Sequence, residues 1–241
     1  MKSFKARGIV LREHPVGESD KYVHLLLKGI GKLSVSARGA RKPSSKFLAG
    51  TQSFTYADFI IYDGGKFYAM SQIDIIEGFY GLRNDYDKLC YGNYFLELCD
   101  RVIIPGIECD EVLLLLLKTL SALSKDRIST EFAARVFELK FLQLNGYSPE
   151  LEICSICGEA LSHNIFFHIY GCICHECSKK SPDSFPVTIG LMKALSYIAN
   201  ASPANVFSFE VGSGTLEGLK RASEFIFNAH INVRINSRKN L

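Results

Sequence analysis

Four cysteines in two close pairs constrain this chain more than any other feature of its sequence. They are Cys154, Cys157, Cys174 and Cys177, in the pattern Cys-x2-Cys-x16-Cys-x2-Cys. Two residues between thiols allow each pair to hold one side of a tetrahedral Zn²⁺ ion, with Zn–S distances near ~2.3 Å. The connector is long enough for a short hairpin, and Gly158 suits the tight turn after the first pair. The sequence therefore predicts one Zn²⁺ ion bound by these four thiolates.

The predicted metal ion is structural rather than catalytic. Four protein thiolates close the coordination sphere, whereas a catalytic Zn²⁺ keeps one position for water. Zinc-dependent nucleobase deaminases carry His-x-Glu upstream of Pro-Cys-x-x-Cys. Here Ile173 precedes Cys174, and the sequence contains no His-x-Glu. We therefore expect the metal to hold residues 150–180 in their fold.

The remaining cysteines leave one alternative open. Cys172 lies two residues before Cys174, so both side chains face the same way if the segment is extended. Cys172 is therefore an alternative ligand, and His168 and His175 also lie nearby. A disulfide framework is not expected in a reducing cytoplasm. Three further cysteines lie in apolar, helical surroundings and are predicted to be small core residues: Cys90, Cys99 and Cys109.

The charge is distributed unevenly along the chain. Residues 1–46 carry eleven Lys and Arg against three acidic residues, a net charge of +8. Residues 47–153 carry nine basic and sixteen acidic residues, a net charge of −7. A polyanion is drawn to the first segment and repelled by the second. The alternative is that these lysines and arginines only solvate a domain surface.

A basic cluster at residues 37–46 follows a predicted strand. It holds Arg38, Arg41, Lys42 and Lys46 among small residues, and serine hydroxyls there can bond phosphate oxygens. Single-stranded nucleic acid is commonly held by cations along its backbone and by aromatic rings under its bases. The aromatic candidates, for which core packing is the alternative, are Phe4, Tyr22, Phe47 and Tyr56.

The first ~80 residues show the pattern of β structure. Residues 32–37 alternate polar and apolar side chains. Residues 54–62 are rich in aromatic and β-branched side chains, Asp63-Gly64-Gly65 then turns the chain, and residues 66–70 form the return strand of a hairpin. With strands near 5–13 and 21–28, five strands are predicted, which suits a small OB-like barrel.

From residue 84 onward the apolar period is helical. Asn84 or Asp85 is expected to cap the first helix, which runs to Ile104, and Asp110 is expected to cap the second. A third opens at residues 129–131 and ends at Asn145, and two more are predicted near 188–200 and 215–230. The fold class is therefore α+β: an OB-like barrel over residues 1–80, then a helical domain over residues 81–241 with a zinc-binding insertion at 150–180.

Several function classes find no support in the sequence. It contains no phosphate-binding G-x-x-x-x-G-K-[ST] loop, no G-x-S-x-G and no H-E-x-x-H. The first residues are not followed by the apolar segment of a signal peptide, and no stretch approaches the ~20 apolar residues of a membrane span. We therefore expect a cytoplasmic protein that binds nucleic acid and is not an enzyme.

The chain resembles the RecO family of bacterial recombination and repair mediators, which act in the RecFOR pathway. In its first part the matching residues are Gly8-Ile9-Val10-Leu11, Gly17-Glu18-Ser19-Asp20-Lys21, Gly31-Lys32-Leu33 and Ala37-Arg38-Gly39-Ala40-Arg41-Lys42. In its second part they are Arg135-Val136-Phe137-Glu138-Leu139-Lys140-Phe141-Leu142, Asn145-Gly146-Tyr147, Pro149, and the cysteine pattern with Gly158 and Gly171. The family usually has glycine where this chain has Cys172, and some members lack the zinc cysteines.

The resemblance implies a fold, a function and partners. It implies an OB-fold, a helical domain and an inserted zinc-binding segment. It implies binding of single- and double-stranded DNA and annealing of complementary strands. It also implies that the protein, together with its partner RecR, helps to load RecA onto DNA coated by single-strand-binding protein. It further implies contact with the C-terminal tail of that protein and a nucleoid-associated location. No membrane partner is implied.

By this resemblance, DNA contact is assigned first to Arg38, Arg41 and Lys42. Weaker assignments fall on four other cations: Arg7, Lys21, Lys32 and Lys46. Two other functions remain open at this stage, a zinc-ribbon RNA-binding protein and a protein-interaction scaffold that docks an acidic partner tail.

Overall fold

A computed structural model of the chain describes residues 2–240, apart from the side chains of 239 and 240. Met1 and Leu241, at the outer ends of the two predicted domains, lie outside the described residues. The chain divides into two compact units. The first comprises Met1–Arg127 with Val233–Leu241, and the second comprises Ile128–Asn232.

Five strands of the first unit form a closed barrel in the order β1-β2-β3-β5-β4. The strands are β1 (Lys2–Val16), β2 (Asp20–Leu27), β3 (Gly31–Ala37), β4 (Tyr56–Asp63) and β5 (Tyr68–Glu77). All neighbours are antiparallel except β3 and β5, which run parallel where the barrel closes. This arrangement confirms the predicted OB-like barrel.

Strand β1 is longer than the sequence suggests. It pairs with β4 over residues 2–9 and with β2 over residues 8–16, and an irregularity between Val10 and Arg12 separates two parts of the β2 ladder. Such an irregularity bends a strand and increases its twist, which a small barrel requires. Alternating side chains of the strands fill the interior, where Val10, Leu25 and Phe59 are fully buried.

Two long helices follow the barrel in the first unit. A short 3₁₀ turn leads into α1 (Tyr86–Val102), and α2 spans Asp110–Ser124. Asp85 caps α1 as predicted, because its side chain accepts a hydrogen bond from the backbone N–H of Lys88. The predicted cap at Asp110 is wrong. Cys109 occupies the N-cap position, and the Asp110 carboxylate instead accepts a hydrogen bond from the backbone N–H of Gly29 at 2.7 Å.

The second unit is built on α3 (Thr130–Leu144), which is buried from residue 132 to residue 142. It contacts α5 (Ile189–Asn200) and α6 (Ser213–His230). Ser129 caps α3 by accepting a hydrogen bond from the N–H of Phe132, which agrees with the predicted start of this helix at residues 129–131. A three-stranded sheet in the order β7-β6-β8 completes this unit with the short helix α4. The bounds are β6 (Phe166–His168), β7 (Gly171–Ile173), α4 (His175–Ser178) and β8 (Phe185–Pro186).

The buried helix α3 also carries charges. Arg135 Nη1 donates to Glu138 Oε2 at 2.9 Å, with both side chains almost inaccessible to solvent. Lys140 Nζ donates to the backbone oxygen of Ala199 at 3.1 Å. Buried charges are tolerated when they are paired and hydrogen-bonded. Among the described helices, none is long and apolar enough to cross a membrane.

Gly8 in β1 has no room for a side chain. A Cβ atom there would lie 2.1 Å from the backbone oxygen of Leu26 and 2.8 Å from Cα of Leu27, both in β2. These backbone atoms are fixed by the strand ladder. We therefore expect Gly8→Ala to lower the free energy of unfolding by roughly 1–3 kcal/mol, measured by urea denaturation.

A control for this substitution is Gly214→Ala in the first turn of α6. A Cβ atom at Gly214 meets nothing within 4 Å, so alanine should leave stability unchanged or raise it by up to about 1 kcal/mol. Equal urea midpoints for Gly8→Ala and the unchanged protein would contradict the close approach of β1 to β2.

Candidate metal centre and basic loop

The second unit brings the four predicted cysteines together. The Sγ atoms of Cys154, Cys157, Cys174 and Cys177 all lie within 4.8 Å of one another. The Sγ atoms of Cys157 and Cys174 are 3.9 Å apart. Tetrahedral coordination with Zn–S distances of ~2.3 Å separates sulfur atoms by about 3.8 Å. The four thiols therefore fit one tetrahedral metal ion.

Two tight turns and a hairpin place these thiols. Gly158, at φ +78°, donates its N–H to the carbonyl of Cys154 at 2.9 Å and closes the first turn. The connector contains the predicted hairpin, formed by β6 and β7. After β7, Cys174 stands in the N-cap position of α4, whose last turn contains Cys177. Each pair is thus held by its own local backbone geometry.

Close approach of backbone segments fixes the hairpin against the first pair. The N–H of Cys172 donates to the carbonyl of Glu150 at 2.6 Å, and the N–H of Ser155 donates to the carbonyl of Cys172 at 2.9 Å. A Cβ atom on Gly171 would lie 2.2 Å from the backbone nitrogen and oxygen of Glu150. Glycine at position 171 is therefore a condition for bringing the two pairs together.

The four thiols do not ionise alike. Burial opposes ionisation of Cys154, but N–H groups of Cys157, Cys174 and Ile156 outweigh it and lower the pKa of Cys154 to about 6. Burial and the neighbouring thiols raise the pKa of Cys177 to about 12. One thiolate therefore forms readily, while a second negative charge beside it is opposed. A bound divalent cation would supply the missing compensation.

Cys172 is separate from this group. Its side chain is fully buried, and burial together with the charge of Glu150 raises the pKa of its thiol to about 12. Although Cys172 lies close to Cys174 in sequence, the group of clustered thiols does not include it. The structure therefore favours the paired pattern over the alternative that used Cys172.

The basic cluster forms a loop after β3 whose ends are anchored in the barrel. Ala40 is fully buried and Phe47 is nearly so, and both belong to the barrel core. Between and beside these anchors, the four cations Arg38, Arg41, Lys42 and Lys46 are exposed. We call residues 38–46 the basic loop. The basic loop presents four positive charges from a segment that is attached to the barrel core through Ala40 and Phe47.

The turn between β1 and β2 supports the basic loop. The N–H of Gly39 donates to the Asp20 carboxylate at 2.7 Å, and the N–H of Arg41 donates to the carbonyl of Ser19 at 2.8 Å. The Arg41 guanidinium also donates to the carbonyl of Gly17 at 2.8 Å. Arg41 therefore has a positioning contact that leaves part of its guanidinium accessible. Among the described residues, Arg38 and Lys42 have no ion pair or side-chain hydrogen bond.

The other predicted cations have partners within the protein. Arg7 binds Asp58 through two hydrogen bonds of 2.7 and 3.0 Å, and together with Lys5 it holds the pKa of Asp58 well below its usual range. Lys21 pairs with the carboxylate of Glu13. Their charges are therefore partly neutralised before any ligand arrives.

Lys32 is partly buried and donates to the backbone oxygen of Asp100. Burial lowers the pKa of Lys32, and the negative charge of Asp100 partly offsets this lowering. Lys46, in contrast, is exposed and lies 5.1 Å from the centre of the Phe47 ring.

The aromatic candidates for base stacking also divide into residues packed within the protein and residues that are partly exposed. Phe47 lies in the core and Phe4 packs edge-on against Tyr68, so packing accounts for both. Tyr56 is partly buried, and Tyr22 has 38% of its surface exposed. Two more exposed tyrosines of the second unit, Tyr147 and Tyr170, lie beside the ring of His230, which is distant from both along the chain, so no local sequence pattern indicates this group.

Comparison with known proteins supplies the family. The model of the recombination protein O N terminal matches residues 1–79, and the model of its C terminal matches residues 83–239. The DNA repair protein RecO of Acetivibrio thermocellus is 34% identical over 226 residues, which cover 93% of this chain and 90% of the relative. The corresponding protein of Alkaliphilus metalliredigens is 32% identical over 234 residues, covering 96% and 95%. That of Shouchella clausii is 30% identical over 240 residues, covering 98% and 92%.

The fold and the cysteine group first define a class, an α+β protein with an OB-like barrel and a candidate metal centre. The matches extend over both units and nearly the full length of the relatives. The chain belongs to the RecO family of bacterial DNA repair and recombination proteins.

The geometry of the cysteines predicts which thiols hold a metal. We expect Cys157→Ala to lose nearly all bound metal after dialysis, because three thiolates leave the tetrahedron incomplete. Cys172→Ala should keep about one ion per chain and lose only the packing of a small buried side chain. The measurement is elemental mass spectrometry of both purified variants, with limited proteolysis to follow the fold of residues 150–180. Equal metal contents in the two variants would contradict the assignment.

Proposed function

We propose that this chain is a recombination mediator that binds single- and double-stranded DNA and anneals complementary strands. With RecR, it helps to load RecA onto DNA coated by single-strand-binding protein. The observation that carries the proposal is the basic loop, four exposed cations on an OB-like barrel in a member of a DNA repair family. The proposed place of action is the cytoplasm, at the nucleoid.

The proposed division of labour assigns nucleic-acid binding to an OB domain of residues 1–80, and it assigns residues 81–241 to a helical domain with the zinc-binding segment at 150–180. The family models, which match residues 1–79 and 83–239, support this boundary, although residues up to 127 belong to the same compact unit as the barrel. In this proposal one Zn²⁺ ion is bound by the four thiols and holds that segment in its fold by linking its two cysteine pairs. Its role is structural, because four thiolates leave no position for a reacting water. We propose no catalysed reaction for this chain.

Arg38, Arg41 and Lys42 are the proposed principal DNA contacts. Arginine and lysine bind phosphate oxygens through charge-assisted hydrogen bonds, and such contacts position a strand without reading its sequence. A strand held by its backbone keeps its base edges available for pairing. Neutralised phosphates also repel a second strand less strongly, so the basic loop favours encounter of two complementary strands.

The remaining predicted cations make smaller contributions in this proposal. Arg7, Lys21 and Lys32 are already bonded within the protein, so binding DNA through them requires exchange of those contacts. Lys46 is exposed beside the basic loop and can extend it. The excess of positive charge over residues 1–46 is also suited to an acidic protein tail, and contact with the C-terminal tail of single-strand-binding protein is part of the proposal.

The test is the salt dependence of single-stranded DNA binding. Each neutralised phosphate contributes about −0.7 to the slope of log K against log salt concentration. Arg38→Glu with Lys42→Glu should weaken binding and make this slope less steep by about 1.4 if each contacts one phosphate. Arg41 is kept, because it supports the loop through Gly17. The measurement is fluorescence anisotropy of a labelled oligonucleotide at several salt concentrations.

The matched control is Lys118→Glu with Lys125→Glu, two exposed lysines, the first within α2 and the second just beyond its end. This pair changes the net charge by the same amount but leaves the basic loop intact. The control should retain the slope of the unchanged protein. An equal loss of slope in both double variants would mean that net charge alone, and not the basic loop, determines binding.

A further inference from the structure

A row of aromatic and imidazole rings lies on the second unit, outside the candidate metal centre. The rings of Tyr147 and His230 are stacked, with centres 4.7 Å apart and planes at 25°. The ring of Tyr170 lies 6.4 Å from His230 and 5.8 Å from His168. Three segments contribute these rings: the residues just after α3, the β6–β7 hairpin and the end of α6.

The row continues to a cation. His168 lies 6.4 Å from the ring of Phe225, which lies 6.2 Å from the ring of Phe185. The guanidinium carbon of Arg221 lies 4.2 Å from the centre of the Phe185 ring. Arg221 is exposed, so the row ends in a positive charge over an aromatic face.

Core packing alone does not account for the row. Tyr170 has 59% of its surface exposed and Tyr147 has 37%. Within the described residues, the buried Nδ1 atom of His168 has no hydrogen-bond partner, although buried polar atoms in a packed core are normally hydrogen-bonded. Tyr147 is stacked on His230, and the plane of Tyr170 lies at 57° to the same ring, so two large exposed rings lie beside His230 and leave aromatic surface accessible.

We propose that Tyr170 and Tyr147, with His230 stacked on Tyr147, form a base-stacking platform for single-stranded nucleic acid, with Arg221 as a phosphate contact at the end of the row. This inference rests on the proposed function and adds a second contact, in a different unit from the basic loop. Aromatic rings stack on any base, so the platform contributes affinity without sequence preference. It also distinguishes unpaired strands, whose base faces are accessible, from duplex.

The test compares two strands of equal length and charge, an oligothymidine and an abasic sugar-phosphate strand. The unchanged protein should bind the oligothymidine more tightly. Tyr170→Ala should weaken oligothymidine binding by roughly 5- to 150-fold, leaving abasic-strand binding and the salt slope unchanged. Tyr170→Phe keeps the ring and should retain the affinity.

The matched control is Tyr86→Ala. Tyr86 is 74% exposed, and no ring contact in the described part of the chain involves it. This variant should bind both strands as the unchanged protein does. Tyr147→Ala gives a second variant of the platform, and circular dichroism with metal content verifies the fold of each.

The outcomes separate the two proposals. If the unchanged protein binds both strands equally, or if Tyr170→Ala weakens both to the same extent, the platform is wrong and the basic loop stands. If Tyr170→Ala and Tyr147→Ala bind oligothymidine normally, the rings serve another contact, such as a protein partner, and the platform is again wrong. If the unchanged protein binds neither strand, the proposed function itself fails.

Discussion

Strand β1 is the constraint on which the first unit depends. It pairs along one part with β4 and along the other with β2, and these two ladders meet at Gly8 and Ile9. The barrel closes only if the backbone passes from one ladder to the other without a side chain at Gly8. The closed barrel in turn receives Ala40 and Phe47, which fix the basic loop. The position of the exposed cations therefore depends on the closed barrel.

The second unit depends on a different constraint, the close approach of four thiols. A hairpin and two tight turns bring the four sulfur atoms to within 4.8 Å of one another, although four neighbouring thiolates repel one another. The backbone N–H groups around Cys154 favour one thiolate, whereas Cys177 resists ionisation. Such an arrangement is stable in its folded form when a cation balances the charge. The segment is thus suited to folding around a metal ion.

Local patterns in the sequence predicted what depends on neighbouring residues. The cysteine spacing identified the four clustered thiols, and the strand periodicity indicated the OB-like barrel. Asp85, one of two predicted caps, caps α1, and the start of α3 was predicted within residues 129–131. The cap at Asp110 was wrong because its carboxylate bonds Gly29, which is 81 residues away. The partners of Arg7 and Lys32 are likewise distant, as is the His230 ring beside Tyr170. Pairings of this kind arise from the tertiary fold, and no window of sequence contains both members.

The most direct test of this function is strand annealing. Two complementary labelled oligonucleotides are mixed with metal-loaded protein at low and moderate salt, and pairing is followed by energy transfer. We predict that the protein accelerates pairing, that the acceleration weakens as salt rises, and that it is lost when Arg38 and Lys42 are replaced by glutamate. Folded, metal-loaded protein that leaves the pairing rate unchanged at every concentration would contradict the proposed function.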